Sequence, residues 1–464
     1  MNTRDQQISM PRLIIAALGS GAGKTTVTMA LLRAWSQRGL RVQPFKVGPD
    51  YIDPHFHEAL VGVPSWNLDA WMDTAEGVQE TFSTAAQSCD VSVIEGVMGL
   101  FDGVGHGLHH ASTAHVARLL NAPVLLVLDV HAMAESAAAL VMGVQRWADD
   151  ILLGGVVLNR VGSPGHYALV REAIESATGV PVLGYLPSSD HIQVPERQLG
   201  LTRLEPRVIQ AYADRLLDLV NATLDFGGIY EVALKAPSGP VTPKRNPGEA
   251  PRARRTTVPQ VALALDEAFW FYYPANLALM TNLGAKIIPF SPIRGEPIPR
   301  EATHLYWGGG FPEEYLEVLA RHGAALAGYR ARIGDGLVTL AECGGWMMMA
   351  EEIRDVKGQP FPMIGVAPVS MRMTPKLSAI GYREVTAVSE TAVFQEGTGF
   401  RGHEFHYSTV EAAAALHPAY QLTTPRGHSY DGYCTPTLVA GYVHLYFPSN
   451  PMAIERWLWG GQKR

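Results

Sequence analysis

Leu13-Ile-Ile-Ala-Ala-Leu18 runs directly into Gly19-Ser-Gly-Ala-Gly-Lys-Thr-Thr26, and Val27–Arg38 continues with helical spacing. An apolar strand, a glycine loop and a helix in that order decide the fold of the first half. Glycines let successive backbone N–H groups turn toward one point, and the helix N-terminus adds partial positive charge, so the loop can cradle phosphate. The candidate ATP-binding residues are therefore Ser20, Gly21, Gly23, Lys24, Thr25 and Thr26. Lys24 can reach β- and γ-phosphate oxygens, and the Thr25 hydroxyl can sit on Mg²⁺. The strict phosphate-loop pattern has a glycine five places before Gly23; here that place is Leu18.

Beyond this stretch, short apolar runs alternate with helical ones. Val91–Ile94, Val124–Leu128, Gly155–Leu158 and Val182–Leu186 read as buried strands, and Ser136–Trp147 and His166–Ser176 as helices. That alternation predicts a mostly parallel sheet covered on both faces. The stretch from Ala236 to Gln260 is rich in proline, with no hydrophobic period, and reads as a linker. A second alternation follows, with strands expected at Val261–Leu265, Lys286–Phe290, His304–Trp307, Leu337–Ala341 and Leu438–Tyr442. The expectation is two α/β domains: a P-loop parallel-sheet domain over 11–232, a linker over 233–259 and a flavodoxin-like α/β domain over 260–455.

Composition sets the bounds. A chain of 464 residues exceeds one hydrophobic core. A formal charge of −7 argues against a nucleic-acid partner. Cys89, Cys343 and Cys434 are too few and too scattered for a disulfide framework or a zinc ribbon, so a reducing cytoplasm is the expected compartment. No apolar run is long enough to span a bilayer, and the polar Met1–Met10 lacks the apolar centre of a signal peptide.

Magnesium needs hard oxygen ligands, which α/β sheets place at strand ends. Asp50 and Asp53, in Lys46-Val-Gly-Pro-Asp-Tyr-Ile-Asp-Pro54, and Glu95 and Asp102, in Glu95-Gly-Val-Met-Gly-Leu-Phe-Asp-Gly103, are the candidates. Thr25, Asp50 and Glu95 are expected at the metal, and Asp53 and Asp102 at the reacting acid. Asn159 reads equally well as a contact to a nucleotide base or as a strand-end turn. His106, His109, His110 and His115 read as loop histidines, since no cysteine or helical His pair accompanies them.

The second half carries a different chemistry. Leu337-Val-Thr-Leu-Ala-Glu-Cys343-Gly-Gly-Trp346 is a strand, a tight turn and a helix, the nucleophile-elbow order with Cys343 in place of serine. The helix N-terminus is expected to favour thiolate. Gly344 and Gly309, the latter in Trp307-Gly-Gly-Gly310, are the expected oxyanion donors. His444, after the last apolar strand, is the candidate base.

Together these segments resemble the cobyrinate a,c-diamide synthase family, a P-loop amidoligase fused to a class I glutamine amidotransferase domain of the cobyric acid synthase type. The resemblance runs over nearly the whole chain and extends to Pro195-Glu-Arg-Gln-Leu-Gly-Leu201, Asp266–Tyr273 and Arg401-Gly-His-Glu-Phe-His-Tyr-Ser408. It implies ATP- and glutamine-dependent amidation of carboxylates a and c of cobyrinate or hydrogenobyrinate, through an acyl phosphate, in cobalamin synthesis. Cys343 would be the nucleophile and His444 its activator. Lys24, Thr25, Asp50, Asp53, Glu95 and Asp102 would surround ATP, Mg²⁺ and the acid, with Arg401–Ser408 near the substrate or a domain interface. A homodimer is left open.

The chain departs from the pattern in three places. Tyr446 stands where many glutamine amidotransferases have Glu, leaving Glu404 as one candidate third member. Gln198 replaces the usual His, and Trp346–Met349 is bulky. Two alternatives stand beside the leading reading. One is amidation of sirohaem or nickel-sirohydrochlorin; the other is a P-loop regulatory or partitioning ATPase, which would need no Cys343–His444 half.

Overall fold

The computed structural model describes residues 10–104, 110–188, 204–237, 258–412 and 416–460. These divide into two compact units, one built from the described residues up to 237 and the other from those beginning at 258. The expected linker falls largely outside the described residues. So do His106, His109 and the segment containing Gln198.

The first unit is one seven-stranded parallel sheet. Its strands are β1 (Arg12–Ala17), β2 (Val42–Val47), β3 (Trp66–Leu68), β4 (Val91–Glu95), β5 (Val124–Asp129), β6 (Leu153–Val161) and β7 (Val182–Pro187), in the order β3-β2-β4-β1-β5-β6-β7. Every residue of β1 is buried. Its side chains alternate between two cores, Leu13, Ile15 and Ala17 packing with Val27, Leu31 and Trp35, and Ile14 and Ala16 with Phe45 and Phe82. A strand covered on both faces needs apolar residues on each, which is why Leu13–Ala17 reads as a continuous run. The strand order reverses at β1, flanked by β4 and β5. Ile15 pairs with Glu95, so the loop after β1 opens beside the carboxyl end of β4, where parallel sheets of this kind bind ligands. The helix begins at Lys24, three residues earlier than its hydrophobic spacing indicates, because Lys24-Thr-Thr carries no apolar signal.

The second unit has a central sheet containing β8 (Gln260–Ala264), β9 (Lys286–Phe290), β10 (His304–Trp307) and β11 (Val338–Glu342). Its order is Tyr433–Cys434, Leu438–Gly441, β11, β10, β8, β9, parallel except for the Tyr433–Cys434 edge. A five-stranded antiparallel sheet, absent from the sequence reading, includes Ala379–Ala387, Gly399–His406 and His444–Tyr446. The strand expected over Leu438–Tyr442 ends at Gly441. The chain then crosses to this second sheet, where His444 pairs with His403. A four-stranded sheet including Val369–Met373 completes the unit. No helix among the described residues is long and apolar enough to cross a membrane.

Candidate active sites

In the first unit, Gly21 and Gly23 hold φ of 73° and 100°, backbone that L-side chains rarely adopt. A Cβ on Gly23 would lie 2.5 Å from Asn159 Nδ2. Asn159 Nδ2 donates to the Ala22 carbonyl at 2.8 Å, and its Oδ1 accepts the Arg160 N–H at 2.8 Å. Asn159 thus buttresses the loop from β6, a role neither sequence reading gave it.

Lys24 Nζ donates to the Gly19 and Met98 carbonyls at 3.0 and 2.5 Å, spanning the loop. Burial lowers its pKa, as does the neighbouring Lys46, against the pull of Glu95, Asp53 and Asp102. A phosphate placed in the loop would take over the two carbonyls' share of this ammonium.

Glu95, fully buried at the end of β4, is the hub. Its Oε1 accepts from Thr25 Oγ1 at 2.7 Å and Lys46 Nζ at 3.0 Å, and its Oε2 faces His57 Nε2 at 2.8 Å. Lys46 also meets Asp53 at 2.6 Å. Burial alone would raise Glu95, but Lys46, His57 and Thr25 outweigh it and hold the carboxyl below the usual range. Burial likewise opposes the charge on Lys46, yet Asp53 and Glu95 raise its pKa. Asp53 is raised by burial and by Glu95 beside it.

Asp50 accepts the N–H groups of Ile52 and Asp53, both at 3.1 Å, opening the helix Ile52–Val61. Asp102, exposed, accepts the Gly99 N–H at 2.8 Å. Thr25 and Glu95 therefore stand together, with Asp53 joined to them through Lys46. Asp50 and Asp102 sit in turns at the edge of the cluster. Lys46 and His57 were not singled out from the sequence; only the placement of Lys46 on a strand parallel to β4 gives it a part here. Among the described residues no three His, Cys, Asp or Glu side chains form a metal cage. The donor set still fits Mg²⁺, which takes one or two protein oxygens and fills its shell from phosphates and water.

In the second unit, Cys343 follows β11 with φ 48° and ψ −106°, a strained conformation for a non-glycine residue. Its N–H donates to Gly441 O at 2.8 Å, and its thiol points at Phe405 O at 3.6 Å, within range for sulfur. A Cβ placed on Gly309 would lie 2.2 Å from His444 Cε1, 3.0 Å from His444 Nε2 and 3.1 Å from Cys343 Cβ. Cys343, His444 and Gly309 thus meet at one point. The Gly309 peptide is fixed by N–H groups of Trp270 and Phe271 on its carbonyl, at 3.0 and 3.1 Å. Gly344 packs against Pro312 and the Gly310 N–H.

Both partners are almost inaccessible, with 3% of Cys343 and 1% of His444 exposed. Burial pushes His444 down to about 3, with His403 and His406 adding to it. Burial also pushes the thiol far up, helped by Glu313, while the Gly344 N–H opposes. The expected thiolate is therefore corrected. The six-residue helix Gly344–Met349 does not offset desolvation, which works against charge on both the thiol and the imidazole. Glu313, raised by burial to about 7, brings a further acid to the thiol's surroundings.

Glu342 ends β11 just before Cys343. It accepts from Tyr306 OH at 2.8 Å and the Leu445 N–H at 3.1 Å, tying β11 to the His444 strand. Burial raises it to about 8. Glu404 faces other partners than a third-member role requires. Its oxygens meet Arg383 Nε at 2.6 Å and His406 Nε2 at 2.8 Å, and these hold it below the usual carboxylate range against burial.

A nucleotide-binding loop on a parallel sheet and a cysteine elbow with its histidine define a glutamine-dependent ligase of two units. Comparison with known proteins agrees. Residues 13–201 match the CobQ/CobB/MinD/ParA nucleotide binding domain, and residues 260–452 match the CobB/CobQ-like glutamine amidotransferase domain. The cobyrinate a,c-diamide synthase of Priestia megaterium is 43% identical over 454 residues, 97% of each chain. That of Thermoplasma volcanium is 39% identical over 444 residues, 96% of this chain and 95% of the relative. The chain belongs to the cobyrinate a,c-diamide synthase family of glutamine-hydrolysing amidoligases.

Proposed function

We propose that this enzyme amidates carboxylates a and c of cobyrinate or hydrogenobyrinate, using ATP and glutamine, in the cytoplasm and within cobalamin synthesis. The relatives' shared activity supports the macrocycle assignment. The observation that carries the chemistry is the meeting of Cys343, His444 and Gly309 at one point.

In the second unit, glutamine brings its carboxamide to Cys343. His444, neutral across the physiological range, takes the thiol proton as sulfur attacks. The Gly309 and Gly344 N–H groups receive the oxyanion. His444 then returns the proton to the departing nitrogen. Ammonia leaves, and water releases glutamate from the thioester.

In the first unit, Ser20, Gly21, Gly23 and Thr26 wrap the phosphates of ATP, and Lys24 moves from its carbonyls onto them. Thr25 and Glu95, with Asp50 at the edge, would hold Mg²⁺, which neutralises phosphate charge when bound. The substrate carboxylate attacks the γ-phosphorus, ADP leaves and an acyl phosphate forms. Lys46 offsets the crowding of this anion against Asp53 and Glu95, and Asp102 faces the same loop. Ammonia then displaces phosphate and leaves the carboxamide.

The test is product mass spectrometry with cobyrinate, hydrogenobyrinate, sirohaem and nickel-sirohydrochlorin as parallel acceptors. The proposal expects two amidations on a cobyrinate-type ring. Amidation of only sirohaem or nickel-sirohydrochlorin would reassign the substrate, and amidation of none would overturn the ligase reading.

A further inference from the structure

The two carbonyls that hold Cys343 belong to neighbours of two stacked rings. Gly441 O accepts the Cys343 N–H, and Phe405 O faces its thiol. The next residues along the chain are Tyr442 and His406, whose rings stack 3.7 Å apart at 9°. The stack joins one residue after the central sheet to one in the antiparallel sheet. It is itself anchored. His406 Nδ1 meets Ser408 O at 2.8 Å and Nε2 meets Glu404 at 2.8 Å, while Arg383 braces Glu404. Tyr442 OH meets Ser408 Oγ at 2.8 Å, and the Tyr442 N–H donates to Asp431 at 2.7 Å.

We propose that the His406–Tyr442 stack is a positioning clamp for glutamine hydrolysis. It fixes the spacing of the Gly441 and Phe405 carbonyls, and through them the strained backbone and thiol direction of Cys343. His406 and Tyr442 touch no reacting atom in this account. Glu404 and Arg383 orient the imidazole, a task distinct from third membership of a catalytic triad. The inference rests on the reading of Cys343 as the nucleophile.

The experiment uses the full-length enzyme and measures, for each variant, glutamine-dependent and ammonia-dependent amidation together with covalent capture of Cys343 by a diazoketone analogue of glutamine. His406→Ala and Tyr442→Leu are expected to lower glutamine-dependent kcat and the capture rate constant on the order of 100-fold, the scale of an ångström-sized misplacement. Glutamine KM should move far less, and ammonia-dependent amidation should persist. Tyr442→Phe keeps the stack and should restore glutamine turnover to within about threefold of the parent. Two results would overturn the clamp: both ring-removing variants keeping parental glutamine turnover, or both losing ammonia-dependent amidation in equal measure, the mark of a merely structural contact. Should His406→Ala not fold, Tyr442→Leu against Tyr442→Phe decides alone. Cys343→Ala, run beside them, separates the premises: glutamine turnover surviving there removes the nucleophile assignment itself.

Discussion

Gly309→Ala is the sharpest perturbation the second unit offers. The new methyl carbon would sit 2.2 Å from His444 Cε1 and 3.1 Å from Cys343 Cβ. Carbon atoms pack at about 3.5–4.0 Å, so the imidazole must retreat by roughly 1.5 Å or the Gly309 peptide must tilt away. The peptide is tied by two N–H donors on its carbonyl, so the ring is expected to give way. Such overpacking costs about 1–3 kcal/mol in a close-packed interior. Misplacement of a reacting group by about an ångström costs on the order of 100-fold in rate. Glutamine-dependent amidation should therefore fall at least about 100-fold, while ammonia-dependent amidation stays near parental. The two nitrogen sources are assayed side by side at saturating ATP and acceptor. Glutamine turnover within a factor of about three of the parent would refute the convergence argument, and equal loss with ammonia would indicate a folding defect instead.

Further outcomes follow from individual groups. Lys24→Ala should abolish ATP-dependent amidation with either nitrogen source while free glutaminase turnover, read as glutamate release, persists. Glu95→Ala strips a buried carboxylate from Lys46, His57 and Thr25 and should destabilise the first unit by about 3–5 kcal/mol in urea unfolding. Asn159→Ala frees the Ala22 carbonyl and should raise the ATP KM about tenfold, with glutamine KM unmoved. His444 also predicts a pH effect. Its folded pKa, about 3, lies below its ordinary 6.5, so the unfolded chain takes the proton first as pH falls. The stability it contributes is whole above about 6.5 and is lost toward pH 3, by about 1 kcal/mol per pH unit. Urea unfolding from pH 7 to 5 should therefore be steeper for the parent than for His444→Leu, and equal slopes would contradict this burial.

What the sequence made legible was whatever has a local signature. The phosphate loop was visible because its glycines, Lys24 and Thr25 are contiguous after an apolar strand. The cysteine elbow was visible for the same reason. Glu95 was found because β4 is a buried run, apolar but for Ser92, that ends in an acid. The strand β2 escaped notice because Pro44 and Lys46 interrupt its pattern, although parallel pairing with β4 is what brings Lys46 to Glu95. His57 lies in an unremarkable helix and meets Glu95 only through packing. The antiparallel sheet of the second unit alternates buried and exposed residues in short polar strands such as Gly399–His406. Its partners are distant in sequence, so the cross-strand pair His403–His444 and the ring stack of His406 on Tyr442 leave no local trace. The desolvation of Cys343 was also beyond reach, since the elbow motif shows the helix but not the burial that works against a thiolate.

Nitrogen released at Cys343 should become the carboxamide of an acid activated at the P-loop. Glutamine labelled with ¹⁵N at its amide, supplied with ATP and cobyrinate, tests it in one mass spectrum. Product amides should carry the label with the parent enzyme, and none should carry it from the same glutamine with Cys343→Ala. Consumption of ATP and labelled glutamine by the parent with no ¹⁵N on the macrocycle would contradict it.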